Sequence, residues 1–304
     1  MRCSSWSRSL AEDPAGTAAR ASAWLALEQP GPWGAKAPTQ SLLDPELGAA
    51  LERRANEHGG RFALIKAPRT HPTTRGSSRV LVSCTRPGKQ FLLTGDVHDA
   101  GQALDVDWAA LIEGRVEDVI AAAPWLRRRT GSVLLVCSNG RRDACCALLG
   151  LPVAVALHDQ YGDDVWESTH LGGHRFAPTT VVLPQGWSHA RMDPVAGDDV
   201  LRAAAEGRVV LDRLRGHGSL TSAEQVADVV VRRTLGERRE QAVRVLASRR
   251  ETDTTTVVSV ETPAGPRTVS VRRVPGSQTR PESCGKAQTP LDTWVVDPLS
   301  QEES

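Results

Sequence analysis

"SVLLVCSNGRRDACCALLGLPVAVALHDQYG", residues 132–162, decides how this chain folds. Its first six residues are a short apolar run of the kind found in buried central strands. Asn139-Gly140 supplies a turn. From Asp143 onward apolar residues recur at helical spacing, so the pattern predicts a helix that breaks at Gly150-Leu151-Pro152 and then resumes. Downstream, "TTVVLPQG" (179–186) reads as a strand and "GDDVLRAAAEGRV" (197–209) as a helix. Strand and helix in alternation argue for a compact α/β unit beginning near residue 131.

Upstream, "LEQPGPWGAKAP" (27–38) is a turn-laden loop after a short apolar strand, and "DPELGAALERRANEHGG" (44–60) is a helix with an acidic first turn and glycines past its end. "RFALIKA" (61–67), "RVLVSC" (79–84) and "QFLLTG" (90–95) read as strands, and "VDWAALIEGR" (106–115) as a helix. Past residue 220, "SAEQVADVVVRRTLG" (222–236) is a helix with Ser222 and Glu224 at its cap and first turn. "TTTVVSVETPAGPRTVSVRRV" (254–274) is a strand pair around "PAGP". Beyond 275 the composition suggests a loosely ordered polar tail as far as "DTWVV" (292–296), with Cys284 a mobile exposed thiol. No internal repeat is visible.

The chain has 304 residues, 40% of them apolar, and a formal charge of +1. That balance gives no electrostatic case for binding nucleic acid. No apolar run approaches the roughly 18–20 residues of a membrane span, and "MRCSSWSRSLAEDPAG" lacks the apolar core of a secretory signal. The expectation is a cytoplasmic protein without a membrane partner, whose six cysteines stay reduced. Three of the six fall at 137, 145 and 146 and need another explanation than disulfides.

A second stretch, "WESTHLGGHRFAPTT" (166–180), supplies one. His170 and His174 flank Leu171-Gly172-Gly173, and the glycines make a helix there unlikely and let both rings turn inward. Cys137, Cys146, His170 and His174 together are two thiolates and two imidazoles, with Cys145 the alternative to Cys146. Tetrahedral zinc takes that donor set. So does a 2Fe–2S cluster in which histidines replace two cysteines on one iron. Zinc ligands usually come in tight pairs, and the longer separation of the cysteines leans toward the cluster. Asp163, Asp164 and Glu167 show only the pattern of a polar loop, not the paired carboxylates of a glycosidase.

"VCSNGRRDACCALLGLPV" followed by "WESTHLGGHRFAPTTVVLPQG" resembles the sucrase/ferredoxin-like family, or thioredoxin-like ferredoxins, and "DPAGTA" and "EQPGPWG" resemble its amino-terminal stretches. The likeness covers roughly residues 1 to 210. It rests on Cys-x₄-Arg-Asp-x₂-Cys and His-x-Gly-Gly-His occurring in order. It implies an α/β (α+β) thioredoxin-like ferredoxin fold, with an N-terminal α/β portion over 1–125 and a ligand-bearing domain over 130–215, followed by the helix-and-hairpin extension that the residue pattern gives over 220–304. It also implies a 2Fe–2S cluster with Cys137 and Cys146 on one iron and His170 and His174 on the other. Arg142-Asp143 match the family's Arg-Asp pair and select Cys146 over Cys145. The function implied is electron transfer with a redox partner protein, a carrier rather than an enzyme. The competing classes are a thiol–disulfide oxidoreductase, disfavoured because no Cys-x-x-Cys opens a helix, and a structural zinc module.

Histidine-ligated centres reach potentials of roughly −150 to +300 mV, against about −400 mV for plant-type ferredoxins. Imidazoles with solvent-facing outer nitrogens lose protons as pH rises. The potential is therefore expected to fall with pH above the oxidised-state histidine pKa; voltammetry from neutral to alkaline pH measures it, and a flat response counts against two exposed histidine ligands.

Overall fold

The computed structural model describes residues 2–69, 76–297 and 300–301. A short helix, α1 (Cys3–Ser9), precedes a strand, β1 (Ala23–Glu28), which is buried along its whole length. The helix α2 (Pro45–Glu57), capped by Asp44 onto the Leu47 amide at 2.8 Å, returns the chain to β2 (Arg61–Lys66), parallel to β1. β3 (Ser78–Cys84) and β4 (Phe91–Val97) then add antiparallel on the other side of β1, followed by α3 (Trp108–Glu113), α4 (Val116–Ala122) and the two-residue β5 (Arg127–Arg128).

The same connectivity then recurs. β6 (Val133–Cys137) is joined through α5 (Ala144–Tyr161) to the parallel strand β7 (Val165–Ser168); β8 (Thr180–Leu183) and β9 (Trp187–His189) add antiparallel, and α6 (Pro194–Ala205) follows. Each half is thus a strand–helix–strand unit followed by two antiparallel strands and a helix, the thioredoxin-like order. In the second half the link from β7 to β8 is a loop, and that loop carries both histidines. The expectation of no internal repeat is corrected at the level of topology. The halves share connectivity, not residues, so nothing repeats in the sequence itself.

β2 pairs antiparallel with β7, Ile65 opposite Ser168 and Lys66 opposite Glu167, so the halves fuse into one ten-stranded sheet closed at its far end by β10 (Leu214–His217). Strand alternation sorts the side chains. Leu134 and Val136 face α5 and α6, packing with Val153, Leu157 and Val200. Leu135 and Cys137 face the other way, into a core shared with Trp24, Ile65 and Leu81 of the first half.

α7 (Ser222–Leu235) begins at the expected residue, but its cap is Thr221, not Ser222, in a reciprocal box with Glu224. Its Val226, Ala227 and Val231 pack on a second sheet of β11 (Arg244–Arg250), β12 (Thr255–Glu261) and β13 (Arg267–Val274). The expected strand pair at 254–274 is β12 and β13. The tail is more ordered than its composition suggests. It forms β14 (Thr279–Pro281) paired with β15 (Gln288–Pro290), while β16 (Thr293–Val296) and β17 (Ser300–Gln301) join β13.

Two further expectations need correction. α5 is unbroken through Pro152, because burying Val153, Ala154 and Leu157 outweighs the one hydrogen bond a proline forfeits. With the turn after it, 144–164, this helix is also long and apolar enough to cross a membrane by length and composition alone. Here it is the crossover of the second half.

One buried ion cluster fastens the tail to the chain's start. Glu12 accepts from Arg175 Nε at 2.8 Å and from Arg280 Nε and Nη2 at 3.2 and 3.0 Å. Burial alone would raise its pKa, but the hydrogen bonds from Arg280 and the charge of Arg175 outweigh it and hold the carboxyl below its ordinary 4.5. A depressed carboxyl contributes stability that is full above its unfolded pKa and lost as pH falls through the folded one. Glu12→Gln should cost about 1–3 kcal/mol at neutral pH, because Arg175 and Arg280 then keep only the half-exposed Glu282 as a charged partner. Urea denaturation of the two proteins should show that gap narrowing as pH falls below 4.5.

Candidate metal centre

Backbone geometry brings all four expected donors to one place. Cys137 ends β6 and is 1% exposed; Cys146 lies in the first turn of α5 and is 2% exposed. The two can meet because α5 presses on the strand end at Gly150, where a Cβ would lie 2.1 Å from the Cys137 carbonyl oxygen. The N-cap of α5 is Asp143, whose Oδ1 accepts the Cys145 amide at 2.9 Å. The expectation that Arg142-Asp143 set the count therefore has a mechanism: Asp143 fixes where the helix starts.

The histidine loop leaves β7, and Gly172 and Gly173 in succession have φ of +85° and +73°. A Cβ on Gly173 would strike Arg215 Nη2 at 2.6 Å. That guanidinium is 1% exposed and donates to the Gly172 carbonyl at 3.1 Å, while Arg61 donates to the His170 carbonyl at 3.0 Å. The loop is thus pinned by two cations, and glycine at 173 is what lets Arg215 come so near.

The four side chains close a ring of contacts. Cys137 lies close enough to Cys146 and His170 for both to depress its thiol pKa. Cys146 Sγ lies 3.4 Å from His174 Nδ1, and the two imidazoles stack with centroids 4.1 Å apart. The thiols are electrostatically unequal. Hydrogen bonding from Cys146, against the opposing effect of burial, holds Cys137 well below the ordinary thiol range, and donating that bond pushes Cys146 up. Burial lowers His174 to about 4, with His170 adding to the effect, so this ring is neutral and ready to donate a lone pair. Trp166, fully buried on β7, roofs the thiols from the shared core.

Cys145 points elsewhere. Its sulfur joins Cys3, Asp143 and Cys284 in a group whose ligand atoms all lie within 4.8 Å of one another, close enough to hold one metal ion. Reading by local spacing missed this group, since its members are up to 281 residues apart. Cys284 is not a free exposed thiol: it is half-buried, with its amide on Asp143 at 2.7 Å. Glu167 is not a loop carboxylate either. It is buried in β7, accepting from Ser138 Oγ at 2.6 Å and facing Lys66 Nζ at 3.5 Å. Asp164 pairs with Arg129.

The family model for sucrase/ferredoxin-like proteins matches residues 14–216. No curated protein and no solved structure matches the chain significantly.

Gly150→Ala should force α5 off the end of β6, because the obstructing atom is backbone. The expected cost is about 1–3 kcal/mol, read by urea denaturation, together with loss of the Cys137–Cys146 contact, read as a slower cross-linking of the two thiols by a short bifunctional reagent.

Proposed function

This chain belongs to the sucrase/ferredoxin-like family, and we propose that it is an electron-transfer protein binding a 2Fe–2S cluster through Cys137, Cys146, His170 and His174. The observation that carries the reading is the closed ring of contacts among two thiols and two imidazoles, drawn from both ends of a βαβ unit and buried together. The donor set fits the group: two thiols and two stacked imidazoles lie beside one another, the donor types that such a cluster takes. When bound, the cluster supplies one-electron chemistry.

The rest is the work of this chain's own residues. Cys137, already biased toward the thiolate, and Cys146 hold the anionic side. His174 and His170 hold the neutral side, which makes added negative charge less costly than among four thiolates. Arg61 and Arg215, lying against the loop, favour that added charge further. Trp166 and the shared core exclude water from the sulfur side, whereas His170 is only half-buried and offers the route toward a partner. Donor thiols must be kept reduced, which suits a cytoplasmic setting and a soluble redox partner.

Protein purified without oxygen should be red-brown, contain about two irons and two sulfides per chain, and bleach with dithionite. Replacing His170 and His174 together by Ala should abolish the iron; unchanged iron content would overturn the ligand set. A colourless preparation with zinc on these four residues would make the site structural, and a colourless one with a titratable Cys137–Cys146 dithiol would make it a thiol oxidoreductase.

A further inference from the structure

The side-by-side cysteines serve two different sites. Successive helical residues diverge by about 100°, so Cys146 enters the shared core and Cys145 faces the outside of the second half. There Cys145 Sγ lies 3.6 Å from Cys3 Sγ and 3.3 Å from Cys284 Sγ, and Cys284 lies 3.5 Å from Cys3, a nearly equilateral triangle. Asp143 Oδ2 stands 3.6 Å from Cys3 Sγ. Cys3 and Cys145 are fully buried and Asp143 is 3% exposed.

We propose that Cys3, Cys145, Cys284 and Asp143 bind one structural zinc ion. Thiolates about 2.3 Å from a tetrahedral zinc sit about 3.8 Å from one another, and a carboxylate oxygen about 3.5 Å from each sulfur, which the four separations approach without rearrangement of the backbone. An iron–sulfur cluster sets its thiolates on different irons and so needs a wider triangle. A disulfide needs a bond of about 2.05 Å and would leave the third thiol over. The surroundings are those of a metal site's outer ring. Ser4 Oγ donates to Cys145 Sγ at 3.2 Å, Ser283 Oγ and the Cys284 amide donate to Asp143 Oδ2 at 2.8 and 2.7 Å, and the Cys145 amide holds Oδ1.

Two of the four ligands, Cys3 and Cys284, lie outside the span matched by the family, residues 14–216. The site therefore draws on residues beyond the matched span, and it shares no ligand with the cluster proposal. Its work is mechanical. The ion bolts α1 and the β14–β15 loop onto the first turn of α5, one residue from Cys146, and so fixes the helix start that presents Cys146 to Cys137.

The test is elemental analysis of the full chain purified under reducing conditions with zinc supplied. About one zinc per chain is expected, retained when His170 and His174 are both replaced by Ala. Cys284→Ser, on a half-exposed loop, should remain folded by circular dichroism and lose that zinc; Cys3→Ser should do the same. In the double histidine variant with cobalt in place of zinc, tetrahedral thiolate–cobalt bands should appear and weaken at least tenfold in affinity with Cys284→Ser. The proposal falls if wild-type protein takes up no zinc, if Cys3→Ser and Cys284→Ser leave the zinc content unchanged, or if intact mass shows two of the three cysteines joined as a disulfide. None of these outcomes depends on iron, so failure of the cluster reading and of this one are told apart.

Discussion

The approach of Gly150 to the Cys137 carbonyl is the contact on which the site depends. A crossover helix normally keeps a side chain's distance from the strand it covers. Here the missing Cβ lets the second turn of α5 settle against the end of β6, and Cys146, one turn back, comes within reach of Cys137. Everything else at the centre answers to that position. Asp143 fixes where the helix starts, the paired glycines let the histidine loop fold back over Arg215, and Trp166 fills the space behind the sulfurs.

The two halves share one connectivity, and the clustered cysteines and histidines belong to the second alone. Both run strand, helix, strand, then two antiparallel strands, and both bury their helices against the same kind of apolar surface. In the second half the strand-to-strand link became a glycine-bearing loop with two histidines. In the first half the corresponding segment follows Lys66 and ends in a plain antiparallel hairpin of β3 and β4. The first half contributes support instead: Arg61 holds the His170 carbonyl, and the Leu64 amide donates to Thr169 Oγ1 at 3.0 Å.

Much of this was legible in the residues, and what was not has physical reasons. Apolar runs such as 132–137 and the helical spacing of 44–60 and 222–236 carry their own periodicity, so those elements are found where the patterns put them. β9 and β10, at three and four residues, are too short to show any period. The unbroken α5 defeats the proline rule because tertiary burial decides, not local propensity. Cys145 against Cys146 could not be settled by spacing, since the choice turns on which way a helical residue faces. Cys3 and Cys284 carried no local signal at all, because their partners are brought to them only by the completed fold.

Joining β2 to β7 has a consequence for how the molecule meets copies of itself. A lone βαβ-plus-hairpin unit presents the bare hydrogen-bonding groups of its outermost parallel strand, an invitation to stack indefinitely. Here each half caps the other's exposed strand, and the ends that remain are blunt: β5 is two residues long and carries only exposed arginines, and β10 is kinked at Gly216. The array stops at two by construction, and β6 and β7, whose ends lead into the cysteine and histidine segments, lie in the interior of the sheet rather than at a margin open to self-association.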